Sequence, residues 1–394
     1  MNTTISFPAH AAQQDVRDAV RALTSKFSLD YWDQHDLNHE FPEDFFQAFA
    51  EAGFLGVLVP EEYGGGGGTM SQMAAILEEV AAGGGALNAA STVHIPILSI
   101  PTLLKFGTEE QRREYLPKIA SGELFVTFGV TEPDAGTETT KITTKATKVD
   151  GGWLVNGSKV WNTGAMRGDK VMALVRTSTP GPGEKKGEGL TLLLIDFDSE
   201  GIERRPIPKL GRNAVASCEV FFSDVFVPDD RVIGTVGQGF YHLLYSLNGE
   251  RVLVSAEALG IGRWCVAAAA DYAKERVVFG HRIGEHQSVQ HPLATAYLQL
   301  LAASEVLQRA VTEYEAKGGG AIGIIANALK YLCSEAGFFA ADAAMQCFGG
   351  YAYAREYHIG RHWTEVRLQR IAPINNAMVL NSIAEGALGL PRSF

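Results

Sequence analysis

Cysteine is scarce in this chain of 394 residues, which holds only Cys218, Cys265, Cys333 and Cys347. No two of them form a C-x-x-C pair, and four thiols in so long a chain make no disulfide framework. They read as reduced, mostly buried thiols of a cytoplasmic protein. Basic charge is also short. Thirty-four Lys and Arg against 45 Asp and Glu leave a net charge of −11, and no basic run is interleaved with aromatics. Nothing therefore draws the chain to nucleic acid or to an anionic membrane. The N-terminal stretch MNTTISFPAHAAQQDVRDAV has no basic start followed by an apolar block, so no secretory signal is expected there. No segment reads as long and apolar enough to span a bilayer. The H-E-x-x-H, G-x-S-x-G and phosphate-loop patterns are missing as well. The pairs His35/His39 and His358/His362 lack companion carboxylates or thiols, so they are read as structural and no metal is expected.

What is present divides the chain in three. Residues 1–122 read as a helical domain, with apolar residues at helical spacing over Asp15–Leu23, Phe45–Phe54 and Met70–Ala82. The five-glycine run Gly64–Gly68 reads as a flexible loop. Residues 123–236 read as an antiparallel β-barrel. Thr, Val and Phe alternate through LFVTFGVTE, KITTKATKV, KVMALVRTS, GLTLLLIDF and SCEVFFSDVFV. Asn156-Gly157, between WLV and SKVW, predicts a hairpin turn, and Thr179–Glu188 a polar surface loop. Residues 237–394 read as a four-helix bundle over Phe240–Val278, Leu293–Lys317, Ile322–Phe348 and Ile374–Leu388. The one literal G-x-G-x-x-G, at Gly318, Gly320 and Gly323, follows a predicted helix rather than a strand. It reads as a loop between helices, not a dinucleotide cradle.

Four segments carry chemistry: VTEPDAGTE (Val130–Glu138), GSKVWNTG (Gly157–Gly164), RVVFGHRIGEHQ (Arg276–Gln287) and QCFGG (Gln346–Gly350). Together, in this order and spacing, they closely resemble the signature segments of the acyl-CoA dehydrogenase family, and the resemblance covers essentially the whole chain. It implies an FAD enzyme acting on an acyl-CoA. By resemblance, Trp161 packs beside the flavin ring and the Thr163 hydroxyl reaches its N5 edge. Val130 and Thr131 would meet the pyrimidine side, and Thr137 stands where the family has a serine near flavin and acyl-CoA. Arg276 suits pyrophosphate by its forked donors. The Gly349-Gly350 backbone, beside Gln346, permits close approach. The family's counterparts of Arg276, Phe279 and Gln287 come from a neighbouring subunit, implying a homotetramer built as a dimer of dimers.

Desaturation needs a base for the Cα proton and an acceptor for the Cβ hydride. In most family members the base is a glutamate just before Gly-Thr near the chain end. The matching stretch here is RIAPINN, with Pro373 at that position. A subset that includes isovaleryl-CoA dehydrogenases places the base immediately before an arginine on the first bundle helix, matching Glu250-Arg251 in LNGERVLV. Glu250 is therefore the expected base and Arg251 its neighbour at the substrate entrance. Pro373 also lacks the backbone N–H that helps the family hold the thioester carbonyl. The resemblance implies a branched or citronellyl-type acyl-CoA substrate and an electron-transfer flavoprotein as acceptor. An acyl-CoA oxidase, a flavin monooxygenase of the same fold, and a catalytically silent subunit remain alternatives at this point.

Overall fold

The computed structural model describes residues 4–393; Met1 to Thr3, the start of the N-terminal stretch read above, and Phe394 lie outside the described residues. Seven helices open the chain: α1 (Gln14–Thr24), α2 (Leu29–Asn38), α3 (Glu43–Glu51), α4 (Met70–Val80), α5 (Ala86–Ile97), α6 (Ser99–Phe106) and α7 (Glu109–Ala120). Their starts follow local chemistry. Thr69 and Thr108 each form a reciprocal capping box, with Gln72 and Gln111, so two orphan backbone donors are satisfied at each end. Gly84 (φ 93°) breaks the path between α4 and α5, a conformation that only glycine enters cheaply.

The glycine run is ordered, not loose. Gly66, Gly67 and Gly68 donate to the carbonyls of Gly56, Val59 and Val57. A Cβ on Gly65 would lie 2.1 Å from the Val59 carbonyl oxygen. Glycine is used there to let two backbone segments touch.

The strands are β1 (Val126–Gly129), β2 (Lys145–Val149), β3 (Gly152–Thr163), β4 (Lys170–Arg176), β5 (Leu190–Asp196), β6 (Ile202–Pro206), β7 (Ser217–Pro228) and β8 (Val232–Ile233). They pair in the order β6-β7-β3-β2-β4-β5-β8, with β1 parallel to β4. The path does not close among the described residues, so the expected barrel is an open, mostly antiparallel sheet. Alternate residues of β4 serve two cores. Val171, Ala173 and Val175 pack within the sheet's own cluster, while Met172 and Leu174 join the helical core. That two-sided burial explains the continuous apolar runs of β4 and β5.

Asn156-Gly157 is not a hairpin. Strand β3 runs straight through it with a register shift between Val155 and Gly157. The Asn156 side chain pairs with Asp224 on β7, and a Cβ on Gly157 would meet Thr144 at 2.7 Å. The pair makes a β-bulge, and the β2–β3 turn is instead at Asp150-Gly151.

The rest is helical: α8 (Gly239–Glu275), a small hairpin β9 (Val277–Val278) and β10 (His281–Arg282), α9 (Gln287–Lys317), α10 (Gly323–Phe348), α11 (Ile359–Leu368) and α12 (Asn376–Gly386). The sequence reading missed α11, whose ten residues are too short for a clear periodic signal. Gly318, Gly320 and Gly323 lie at the join of α9 and α10, as expected. Two stretches, Met70–Phe106 and Gly239–Glu275, are in fact long and apolar enough to cross a membrane, contrary to the sequence reading. Their most apolar 18-residue windows are 78% and 100% buried inside the protein, so their apolarity is that of core helices. Cys218, Cys265 and Cys333 are buried free thiols and Cys347 is partly exposed.

Candidate active site

Helix α5 is pinned first. The Glu365 carboxylate of α11 accepts from the backbone N–H groups of Leu87 and Asn88 and from the Asn88 side chain. A carboxylate at a helix N-terminus satisfies otherwise orphaned donors. Burial, the leading cause, raises the Glu365 pKa to about 7 although Arg361 opposes it. Asn88 and Asp36 then hold the loop after β6 by accepting from the N–H groups of Ala214 and Asn213. Ser91 and His94 follow Asn88 at three-residue spacing, so all three share one face of α5.

That loop carries Arg212. Its guanidinium donates to Thr163 Oγ1 at 3.1 Å, Ser217 Oγ at 3.2 Å and Ser91 Oγ at 3.3 Å. Burial pulls its pKa down, against the attraction of Glu257 and Glu365. Lys209 beside it donates to the carbonyls of Arg212 and Val215. Burial, with Arg212 next, brings that amine to about 7. Thr163 thus ends β3 in a cluster of hydroxyls backed by a cation. Two residues earlier, Trp161 is 56% exposed.

Val130 and Thr131 sit where the chain leaves β1. The Thr131 carbonyl accepts from the Val160 N–H and the Val130 carbonyl from Lys159 Nζ. Thr137 is exposed, and its Oγ1 accepts from Asn375 Nδ2 at 3.3 Å. The Pro373 loop therefore lies against the VTEPDAGTE segment.

Glu250 lies in the first half of α8, partly exposed. Burial raises its carboxyl above the ordinary value, while His94 and Arg251 pull it down and Glu257 pushes it up. Arg251 donates to Asn248 and, with Phe106, Tyr245 and Gly320, lines a cavity of about 480 Å³. A larger hollow of about 720 Å³, lined by Glu114, Trp153 and Asp229, contains none of the residues singled out from sequence. Its walls are acidic and it lies away from Glu250.

The remaining predicted residues gather at the other end of α8. Arg276 sits over the Tyr351 ring at 5.5 Å, Phe348 stacks on Tyr272, and Phe279 is 98% exposed. Gln287 begins α9 in solvent and Gln346 is exposed on α10. A Cβ on Gly349 or Gly350 would meet nothing within 4 Å, so that backbone is open to approach. From Glu250 to Arg276 the helix rises about 39 Å at 1.5 Å per residue. One chain thus carries two separate groups of candidate residues, one around Glu250 and one around Arg276. Among the described residues, three of the seven non-glycine residues with positive φ are Trp161, Arg212 and Phe279. Such conformations concentrate at functional sites.

Sequence reasoning missed Arg212, His94, Glu257 and Gln369. His94 Nδ1 meets Glu257 Oε1 at 2.6 Å, and Gln369 Nε2 donates to Glu257 Oε2 at 2.9 Å. The available signal was position: Glu257 is the lone acid in the apolar run VLVSAEALGIG, seven residues after Glu250.

An exposed indole, a hydroxyl edge backed by a cation, and an exposed arginine beside open glycine backbone fit a flavin dinucleotide. These features define the class as a flavoprotein oxidoreductase. The family comparisons agree. The acyl-CoA dehydrogenase N-terminal, middle and C-terminal domain models match residues 10–123, 127–225 and 237–388. The chain is 36% identical over 392 residues to the acyl-CoA dehydrogenase fadE12 of Mycobacterium bovis, covering 100% of both. It is 32% identical to the mitochondrial isobutyryl-CoA dehydrogenase of Dictyostelium discoideum, covering 88% of this chain and 82% of that one. The glutaryl-coenzyme A dehydrogenase complex with glutaryl-CoA superposes with a TM-score of 0.91 at 28% identity, covering 100% of this chain and 98% of that one. The chain belongs to the acyl-CoA dehydrogenase family. It is an enzyme, an FAD-dependent oxidoreductase that dehydrogenates an acyl-CoA.

Proposed function

We propose that this enzyme desaturates a short, branched acyl-CoA between Cα and Cβ, with Glu250 as the base. The observation that carries this reading is the pair of positions: Pro373 offers no carboxylate beside Thr137, whereas Glu250 offers one on α8 next to the Arg251 cavity. Trp161, Thr163, Val130 and Thr131 would hold the flavin end of FAD, and Arg276, Phe279, Gln287, Gln346 and the Gly349-Gly350 backbone its other end. The bound FAD supplies the acceptor for the Cβ hydride. Glu250 takes the Cα proton onto its carboxylate, and protein burial raises its basicity above that of a carboxylate in water. Arg251 narrows the entrance. Thr137 and Asn375 fix the Pro373 loop. Isobutyryl- and isovaleryl-CoA dehydrogenases among the relatives support the branched substrate. The two groups about 39 Å apart on α8 support assembly from a dimer of dimers, one chain's Arg276 end completing another's Glu250 end. Electrons then pass to an electron-transfer flavoprotein.

The test is anaerobic flavin reduction with isobutyryl-, isovaleryl- and butyryl-CoA. Wild type is expected to bleach with a branched thioester. Glu250→Gln is expected to bind it yet reduce about 10²- to 10⁴-fold more slowly, the usual contribution of a positioned base. Unchanged reduction in Glu250→Gln would falsify the assignment.

A further inference from the structure

Glu257 stands seven residues beyond Glu250 on α8, two turns along the same face. It is buried at 3% exposure, as is His94 of α5 at 4%. The contact between them is short, 2.6 Å from Nδ1 to Oε1, and Gln369 occupies the second carboxylate oxygen. Three elements therefore converge on this pair: α5, α8 and the end of α11. His94 Nε2 is buried and has no hydrogen-bond partner among the described residues. A charge on the ring is thus satisfied on the Glu257 side and left open on the other.

The charges that act on His94 are those of Glu257 and Glu250 on α8 and of Arg212 on the loop after β6. Those that act on Glu250 are His94, Arg251 and Glu257. Burial disfavours the imidazolium, but the ion pair and hydrogen bond to Glu257, with help from Glu250, more than offset it, and the ring's pKa is raised. Inside a protein a unit charge acts over several ångströms with little screening. A cation near a carboxylate favours its ionised, proton-accepting form.

We propose that His94, gripped by Glu257, is a positioning residue that keeps a positive charge beside the Glu250 carboxylate and so sets the lower pH limit of the reaction. The proposal rests on the reading of Glu250 as the base. The sign follows directly. Without the cation, Glu250 holds its proton to higher pH, so the acid limb of flavin reduction moves up. Removing Glu257 as well takes away the repelling anion, so the limb moves back.

The experiment is the pH profile of flavin reduction at saturating isovaleryl-CoA in the FAD-loaded enzyme, for wild type, His94→Gln and His94→Gln/Glu257→Gln. His94→Gln is expected to raise the acid limb by about half a pH unit or more, with the thioester Kd unchanged. The double variant is expected to return toward wild type. A structural role alone predicts the opposite, with two losses that accumulate and a limb that stays put. An unmoved limb in His94→Gln, or a double variant displaced as far as the single one, overturns the proposal. If Gln at 94 abolishes folding, His94→Asn carries the same expectation and the same refutation. Glu250→Gln separates the two readings. If that variant still bleaches like wild type, the base assignment has failed; if it is silent while the His94→Gln limb stays in place, only the present proposal has.

Discussion

Lys159 of β3 and Glu132, just after β1, form a buried pair. The amine is fully buried and lies 2.9 Å from the carboxylate, which also accepts from the backbone of Thr143 and Thr144. The two partners are pushed differently. Burial works to raise the Glu132 pKa, but Lys159 and the threonines win and hold it down at about 2, while burial drags the Lys159 pKa down to about 8 despite Glu132. The carboxylate's depression is the firmer guide, because three donors besides the amine favour its charge. Its contribution is present above the ordinary 4.5 and is lost as pH falls toward about 2. Lys159→Met leaves a buried carboxylate without its cation, so a loss of about 3–5 kcal/mol at neutral pH is expected, together with a flatter fall in stability through that acid window. Unfolding midpoints measured across pH check both. At the same scale, the raised pKa of Glu250 places the acid limb of wild-type flavin reduction above the ordinary carboxylate range, and a stopped-flow pH series measures it.

Helix α8 carries Glu250 and Glu257 and is seated by close backbone contact with α4. A Cβ on Gly260 would fall 2.1 Å from the Glu78 carbonyl oxygen. Around this contact, Arg263 of α8 and Arg17 of α1 both reach Glu78 and Glu79 of α4, and all four side chains are buried. Gly260→Ala must push the two helices apart, and an overpacked contact of this kind costs about 1–3 kcal/mol. The expected outcome is a lower thermal midpoint with a smaller effect on isovaleryl-CoA binding than on stability. A midpoint equal to wild type would mean that α8 is not held by this contact.

At the scale of the molecule, the Glu250 and Arg276 groups are separated by most of the length of α8. Exposed apolar groups cluster near the Arg276 end, with Phe279 at 98%, Tyr353 at 87% and Val277 at 54%. A shared site makes a definite expectation for mixed chains. Glu250→Gln and Arg276→Glu should each be inactive alone. Co-assembled, the Arg276→Glu chain supplies an intact Glu250 and the Glu250→Gln chain an intact Arg276, so one site of each mixed pair is whole. Flavin bleaching should then reappear in the mixture. Persistent silence would show that each site is built within a single chain.

The sequence by itself determined the order of helices, strands and helices, because long apolar periodicities and alternating β-branched runs are local properties of the chain. It determined the family as well, since four separated motifs such as GSKVWNTG and RVVFGHRIGEHQ agree at once. It also singled out Glu250 as the candidate base, through the adjacent arginine and the proline that stands where the family's other carboxylate would be. Only the tertiary structure decided that Asn156-Gly157 is a bulge within β3, because a cross-strand bond to Asp224 overrides the local turn preference. Only it showed the glycine run packed against Val59, and two apolar stretches as core helices of a folded protein. The His94, Glu257 and Gln369 cluster joins residues as far as 275 positions apart. No local pattern announces such a contact, because burial and electrostatic neighbourhood come into being only when distant segments meet.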